Sequence, residues 1–257
     1  MGPDGRDPAP LNAVAGRPFL LLSSRPEDAA AEQEHASFLR FTGLPADRLH
    51  RIRLEAGPLP ELDLDAYAGV VLGGSPFNSS DPPESKSAVQ LRVEREVDAL
   101  LGEVVARDVP FLGACYGIGT LGTHLGGVVD RTYGEPVSAV EVSLTEEGRR
   151  DPLLAGVPER FGAFVGHKEA CRELPPGAVL LASSATCPVQ MFRVRQNVYA
   201  TQFHPELDVD GLVARARIYQ HAGYFPPDEL DQVVALAEAA EVHEPARVLA
   251  NFVARYG

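Results

Sequence analysis

Short apolar runs alternate with amphipathic stretches through the first half of the chain. Pro18-Phe-Leu-Leu-Leu-Ser-Ser24 is a run of the kind that fills a strand buried on both faces. Ser24 stands three residues before Glu27 with Pro26 between them. This predicts a capping-box start for a helix that runs towards Phe41 and stops at Gly43 and Pro45. Leu49 to Leu54 is a weaker strand candidate, and Tyr67 to Gly74 is a stronger one that ends on a glycine pair. A polar loop, Ser75 to Ser85, separates it from a long amphipathic helix over Lys86 to Arg107, where valine and leucine recur at helical spacing among Glu and Arg. Val109-Pro-Phe-Leu-Gly113 is the next buried strand, and it leads directly into a helical stretch through Leu125.

The second half is richer in strands. Val137 to Leu144, Phe161 to Val165 and Ala178 to Ala182 fit short strands, and Val189 to Val194 with Val198 to Phe203 fits a hairpin about Arg195-Gln196-Asn197. Helices follow at Leu212 to Tyr219, Asp228 to Ala240 and Ala246 to Tyr256. The β–α alternation predicts a three-layer α/β/α sandwich on a mostly parallel, partly mixed sheet. Residues 1–16 read as a disordered leader, 17–208 as the main domain, and 209–257 as a helical extension packed on it, with its apolar side covering the sheet edge.

Composition narrows the function classes. Thirty-six acidic against 23 basic side chains give a net charge of −13, which repels phosphate backbones and anionic headgroups. No nucleic-acid or membrane partner is expected. There is no apolar run of membrane-spanning length and no apolar core of a secretory signal near Met1, so a cytoplasmic location is expected. Cys115, Cys171 and Cys187 are three in number and lack CxxC spacing, which fits neither a disulfide framework nor a zinc cluster. No metal or nucleotide cofactor is implied, because no phosphate-binding loop with its lysine is present.

Two segments carry chemistry. Gly113-Ala-Cys115-Tyr-Gly117 has the form G-x-C-x-G between a predicted strand and a predicted helix. An elbow of this kind needs flanking glycines where side chains would collide, and the helix N-terminus favours a thiolate. The same five residues, taken alone, also fit a small buried cysteine in tight packing. Gln202-Phe-His204-Pro-Glu206 places a histidine and a carboxylate two residues apart at a strand end, where an extended backbone points both the same way. Histidine can take the thiol proton while glutamate orients the imidazole. Cys171 and Cys187 have no elbow and read as packing residues.

Together, Phe111 to Gly117 and Tyr199 to Glu206 resemble the class I glutamine amidotransferases, particularly the amidotransferase part of GMP synthase. The resemblance covers roughly Pro18 to Leu207. It implies a flavodoxin-like α/β/α domain that hydrolyses the side-chain amide of glutamine through a γ-glutamyl thioester, with Cys115, His204 and Glu206 as the triad. It also implies an oxyanion hole from the backbone N–H groups of Gly74 and Tyr116, in the strand Val71-Leu-Gly-Gly-Ser-Pro76. Gly73, Ser75, Gly119 and His167 are the implied substrate-side positions. Gly166-His-Lys-Glu169 matches the family's His-x-Asp segment in part, and a surface histidine in a loop is expected there. One position departs from the pattern: the family's glutamine four residues after the nucleophile is Gly119 here, with Ser75, Asn78, Ser79 or His167 as candidate replacements. The resemblance therefore leaves two substrates open, glutamine with ammonia passed to a separate synthetase, or another γ-glutamyl compound hydrolysed outright. A catalytically silent binding or regulatory protein on the same fold is the alternative from a different class. The 51 residues after Glu206 are fewer than an appended synthetase domain needs.

Overall fold

In a computed structural model, residues 16–257 are described; apart from Gly16, the expected leader lies outside them. The first half alternates as the apolar runs predict: β1 (Phe19–Ser23), α1 (Asp28–Thr42), β2 (Leu49–Arg53), β3 (Gly69–Leu72), α2 (Ala88–Arg107), β4 (Phe111–Ala114) and α3 (Tyr116–His124). The second half adds β5 (Val128–Asp130), β6 (Glu135–Leu144), α4 (Glu146–Arg150), β7 (Arg160–His167), β8 (Ala170–Glu173), β9 (Val179–Ser184), β10 (Met191–Val194) and β11 (Val198–Thr201). Three helices follow, α5 (Val209–Ile218), α6 (Leu230–Ala239) and α7 (Ala246–Tyr256).

Nine strands form one sheet in the order β2-β1-β3-β4-β11-β10-β9-β6-β7. Pairing from β2 to β11 is parallel, and from β11 to β7 it is antiparallel. The sheet is thus mixed, as expected. Alternate residues of the central strands feed two separate cores. Phe19, Leu21, Val71, Leu112 and Tyr199 pack with Phe38 of α1 and Val248, Leu249 and Phe252 of α7. Leu20, Leu22, Val70, Leu72, Phe111 and Val198 pack with Val93, Val97, Leu101 and Val104 of α2 and Leu121 of α3. This two-sided burial explains why the strands read as continuous apolar runs rather than alternating ones.

Several local expectations are corrected. α1 begins after Glu27, not at a Ser24 capping box: Ser24 is buried and its Oγ has no partner, while the Glu27 carboxylate accepts the Tyr219 hydroxyl at 2.8 Å. Gly43 does end α1, at φ 69°. The terminal helices cover faces rather than only an edge. α7 lies on the α1 side of the sheet, α6 packs against β6, and Leu236, expected on the apolar side of α6, is 60% exposed. The short strands β5 and β8 and the five-residue α4 were not anticipated; three to five residues carry too little periodicity to read.

Candidate active site

The parallel strands end on one edge of the sheet, and the strand order reverses there between β2-β1 and β3-β4. This is the crevice where open α/β sheets place ligands. Arg25 follows β1, Gly74 follows β3, Cys115 follows β4 and His204 follows β11.

Cys115 sits at φ 53°, ψ −88°, a conformation that L side chains rarely adopt. Its N–H donates to the Thr201 carbonyl at 2.8 Å, and its own carbonyl accepts from Ile118 N–H at 3.1 Å, so the bend is fixed between β11 and the first turn of α3. The flanking glycines are steric requirements. A Cβ on Gly113 would lie 2.8 Å from the backbone of Gly117, and one on Gly117 would lie 3.3 Å from the Leu72 carbonyl oxygen. Cys115 is partly exposed, whereas Cys171 and Cys187 are buried, and burial pushes their thiols up to about 11 and about 12.

β11 stops at Thr201, so His204 and Glu206 lie in a turn rather than on the extended backbone expected. The turn brings the pair together all the same. His204 Nδ1 is 2.8 Å from Glu206 Oε1, and Glu206 is fully buried. Arg215 of α5 donates through one amino group to the same Oε1 at 2.9 Å and through the other to Gln33 of α1 at 2.9 Å. Burial pulls the His204 pKa down, but the charges of Glu206 and Cys115, and hydrogen bonds to both, outweigh it and lift it to about 9. Burial alone would raise Glu206; His204 and Arg215 instead hold it well below the usual carboxylate range. The histidine therefore holds its proton more tightly than an ordinary imidazole, and it lines the same lobe as Cys115.

Gly74 lies against this group. A Cβ there would fall 2.9 Å from His204 Cε1 and 2.7 Å from an amino group of Arg25. Neither the Gly74 nor the Tyr116 N–H has an acceptor among the described residues, so both donors are free for a ligand. Two lobes meet at Cys115, Ser75, Gly166 and Tyr224. One is polar, with Asn78, Gly119, His167, Lys168, Glu169 and Gln202. The other runs past His204 between Arg25, Arg215 and apolar side chains.

Of the substrate-side positions, Ser75 lines both lobes and Gly119 and His167 line the polar one; Gly73 lines neither, since it faces Glu34. His167 is not a surface residue. It ends β7, 4% exposed, with Nε2 2.8 Å from Glu135 and Nδ1 2.8 Å from the Glu169 carbonyl, so both ring nitrogens are engaged. The room beside Gly119 is taken by Glu169, whose carboxylate accepts from Ser79 N–H at 2.8 Å and Ser80 N–H at 2.7 Å; a Cβ on residue 119 would lie 2.8 Å from it. The sequence reading missed Arg25, Glu34 and Arg215. Glu34 and Arg215 each interrupt an apolar helical stripe, with Ala30, Ala31 and Phe38 in α1 and with Leu212, Ala216 and Tyr219 around α5, which is the signal that could have found them.

A sequence profile described as "Glutamine amidotransferase class-I" matches residues 49–210. The chain is 29% identical over 170 residues to a subunit of the glutamine-hydrolyzing GMP synthase of Thermococcus kodakarensis, covering 66% of this chain and 80% of that one. It is 32% identical over 149 residues to the corresponding GMP synthase subunit of Thermoplasma volcanium, covering 56% and 65%. A crystal structure of a glutamine amidotransferase from Thermotoga maritima superposes with a TM-score of 0.72 at 22% identity, covering 93% of this chain and 97% of the other. That likeness shows the fold. Among the described residues no helix is long and apolar enough to cross a membrane, and no cluster of His, Cys, Asp and Glu could hold a metal ion.

Proposed function

The chain belongs to the class I glutamine amidotransferase family, and from that premise we propose that it is a cysteine hydrolase of γ-glutamyl amides, with Cys115, His204 and Glu206 as its triad. The observation that carries the reading is a strained, partly exposed cysteine lining one lobe with a histidine that is bonded to a buried carboxylate.

The Cys115 sulfur attacks the γ-carbonyl carbon as a thiolate. Charge develops on the carbonyl oxygen, where the free N–H groups of Gly74 and Tyr116 receive it; each such donor is typically worth about 10²–10³ in rate. His204 gives its proton to the leaving nitrogen as the C–N bond breaks. Water then attacks the thioester, His204 takes its proton, and glutamate leaves as the C–S bond breaks, which restores the thiolate and the protonated His204. Glu206 and Arg215 act behind the histidine, keeping the ring oriented and Nδ1 protonated.

Glutamine is the first substrate to test, and the curated relatives support it through the glutamine-hydrolysing activity in their names. Their designation as one subunit of a synthase supports a separate synthetase as the partner that would receive ammonia, and a cytoplasmic setting would suit such a pair. The Glu169 carboxylate beside Gly119 favours a second reading, in which the substrate's amino-acid end is held differently and a larger γ-glutamyl compound is hydrolysed to completion. Glutamate release from glutamine and γ-glutamyl amides by the wild type and Cys115→Ala tests both. Turnover that falls by about 10³-fold or more in the variant, with unchanged thermal unfolding, is expected. A wild type that turns over none of them would leave the silent, binding-protein alternative.

A further inference from the structure

We propose that the amine leaving this site is uncharged and apolar, so that the substrates are γ-glutamyl amides of small alkyl or arylalkyl amines. This rests on the Cys115 hydrolase reading and specifies its substrate class.

The two lobes at Cys115 differ: one sets charged and amide side chains beside Phe77 and Tyr116, and the other is walled mainly by apolar side chains. Lys168 and Glu169 give the polar lobe one charge of each sign, and the Gln202 side-chain oxygen there is buried without a partner. An amino acid's ammonium and carboxylate match that lobe, which assigns it the glutamyl end. The leaving nitrogen must then project into the other lobe, because His204, the proton donor to that nitrogen, lines it.

Ammonia needs no room beyond the bond that releases it. Yet the leaving-group lobe continues between Val137, Val165, Leu212, Ala216 and Phe225. Burying a hydrocarbon chain against such walls is favourable, at about 10- to 200-fold in specificity for each methylene-sized group. No acidic side chain lines the lobe. Arg25 and Arg215 do, while the carboxylates that pair them, Glu34 and Glu206, are fully buried behind it. A leaving group with a second, protonated amine would find no free carboxylate on these walls to pair with, because Glu34 and Glu206 are already engaged by Arg25 and Arg215.

Leu212, Ala216, Phe225 and Arg25 all lie outside residues 49–210, the part that matches the family profile. Val137 and Val165, on the opposite wall, lie within them. In the reaction the C–S bond forms as the thiolate adds to the carbonyl, and the C–N bond breaks when the tetrahedral intermediate collapses. The His204 proton leaves on the alkylamine, and water converts the thioester to glutamate.

Initial rates of glutamate release by the full chain on γ-glutamyl-n-butylamide, its ω-amino analogue γ-glutamyl-1,4-diaminobutane, and glutamine test this. A secondary alkyl amide is no more reactive than a primary one, so a preference for it reports binding. We expect kcat/KM for the butylamide to exceed both others by at least about tenfold. Ala216→Phe, which fills the lobe, should lower the butylamide-to-glutamine ratio by at least about tenfold. Glutamine turned over as well as or better than the butylamide would overturn the proposal and make the lobe an exit for ammonia. The diamine compound preferred over the butylamide would also overturn it. If none of the three is hydrolysed although a γ-glutamyl electrophile alkylates Cys115, the substrate class is wrong and the nucleophile stands. If Cys115 also refuses the electrophile, both readings fall.

Discussion

Cys115 holds a backbone conformation that costs on the order of 1–3 kcal/mol, and the hydrogen bonds to Thr201 and Ile118 keep it there. That conformation sets Cys115 where the two lobes meet, one of them also lined by His204. A histidine whose folded pKa of about 9 exceeds its unfolded value binds its proton more tightly when folded. Its contribution to stability is therefore complete below the unfolded value and lost as pH rises through about 9. Activity should follow the same proton: kcat/KM is expected to fall on the alkaline side near pH 9, because an unprotonated His204 cannot protonate the leaving amine. Glu206→Gln removes the charge that raises His204, so the alkaline limb should move to lower pH; a pH–rate profile of both proteins checks this. Gly119 offers a second test. Its substitution by Ala puts a methyl 2.8 Å from a carboxylate fixed by two backbone N–H groups, so a loss of about 1–3 kcal/mol is expected in denaturant unfolding. Adding Glu169→Ala should relieve the clash, and the non-additivity of the double-mutant cycle measures the contact.

Among the elements, those with strong periodicity were legible. β1, β3, α2 and β4 lie within a few residues of their apolar runs, and the turn at Arg195 (φ 53°) falls inside the expected hairpin loop. The elbow between β4 and α3 was legible because glycine is demanded at Gly113 and a close approach to Leu72 favours it at Gly117. What could not be read depends on distant partners. The Ser24 capping box fails because Ser24 is buried ahead of a helix that begins only after Glu27, whose carboxylate Tyr219 engages from nearly two hundred residues away. His204 and Glu206 meet through a turn, since β11 ends earlier than its apolar run suggests. Nothing local tells that α5 aims Arg215 at Glu206. α7 is the element whose anchoring can be measured most simply. Phe252, 1% exposed, packs at a tilt against Phe19 with centroids 5.8 Å apart and edge-on against Tyr256 at 5.0 Å. Phe252→Ala should cost about 3–5 kcal/mol in chemical denaturation, with α7 loosened from α1. A cost below about 1 kcal/mol would mean that α7 contributes little to this face of the core.

At the scale of the whole molecule, the parallel half of the sheet supplies Arg25, Gly74, Cys115 and His204 from four strand ends, while the antiparallel half and the last helices supply the walls. Division of labour of this kind lets the nucleophile's geometry persist while the lobe beside it varies. It also explains why chemistry was easier to read from the sequence than substrate: elbow and His-Pro-Glu are each contiguous, whereas the lobes gather side chains from many elements. The central claim is that Cys115 alone among the three cysteines is a nucleophile facing a γ-glutamyl site. Intact-mass and peptide mapping after treatment with a γ-glutamyl chloromethyl ketone tests it most directly. A single adduct on Cys115, slowed by excess substrate and lost in His204→Ala, is the expected result. Adducts spread over Cys171 and Cys187, or an unmodified Cys115 in folded protein, would contradict it.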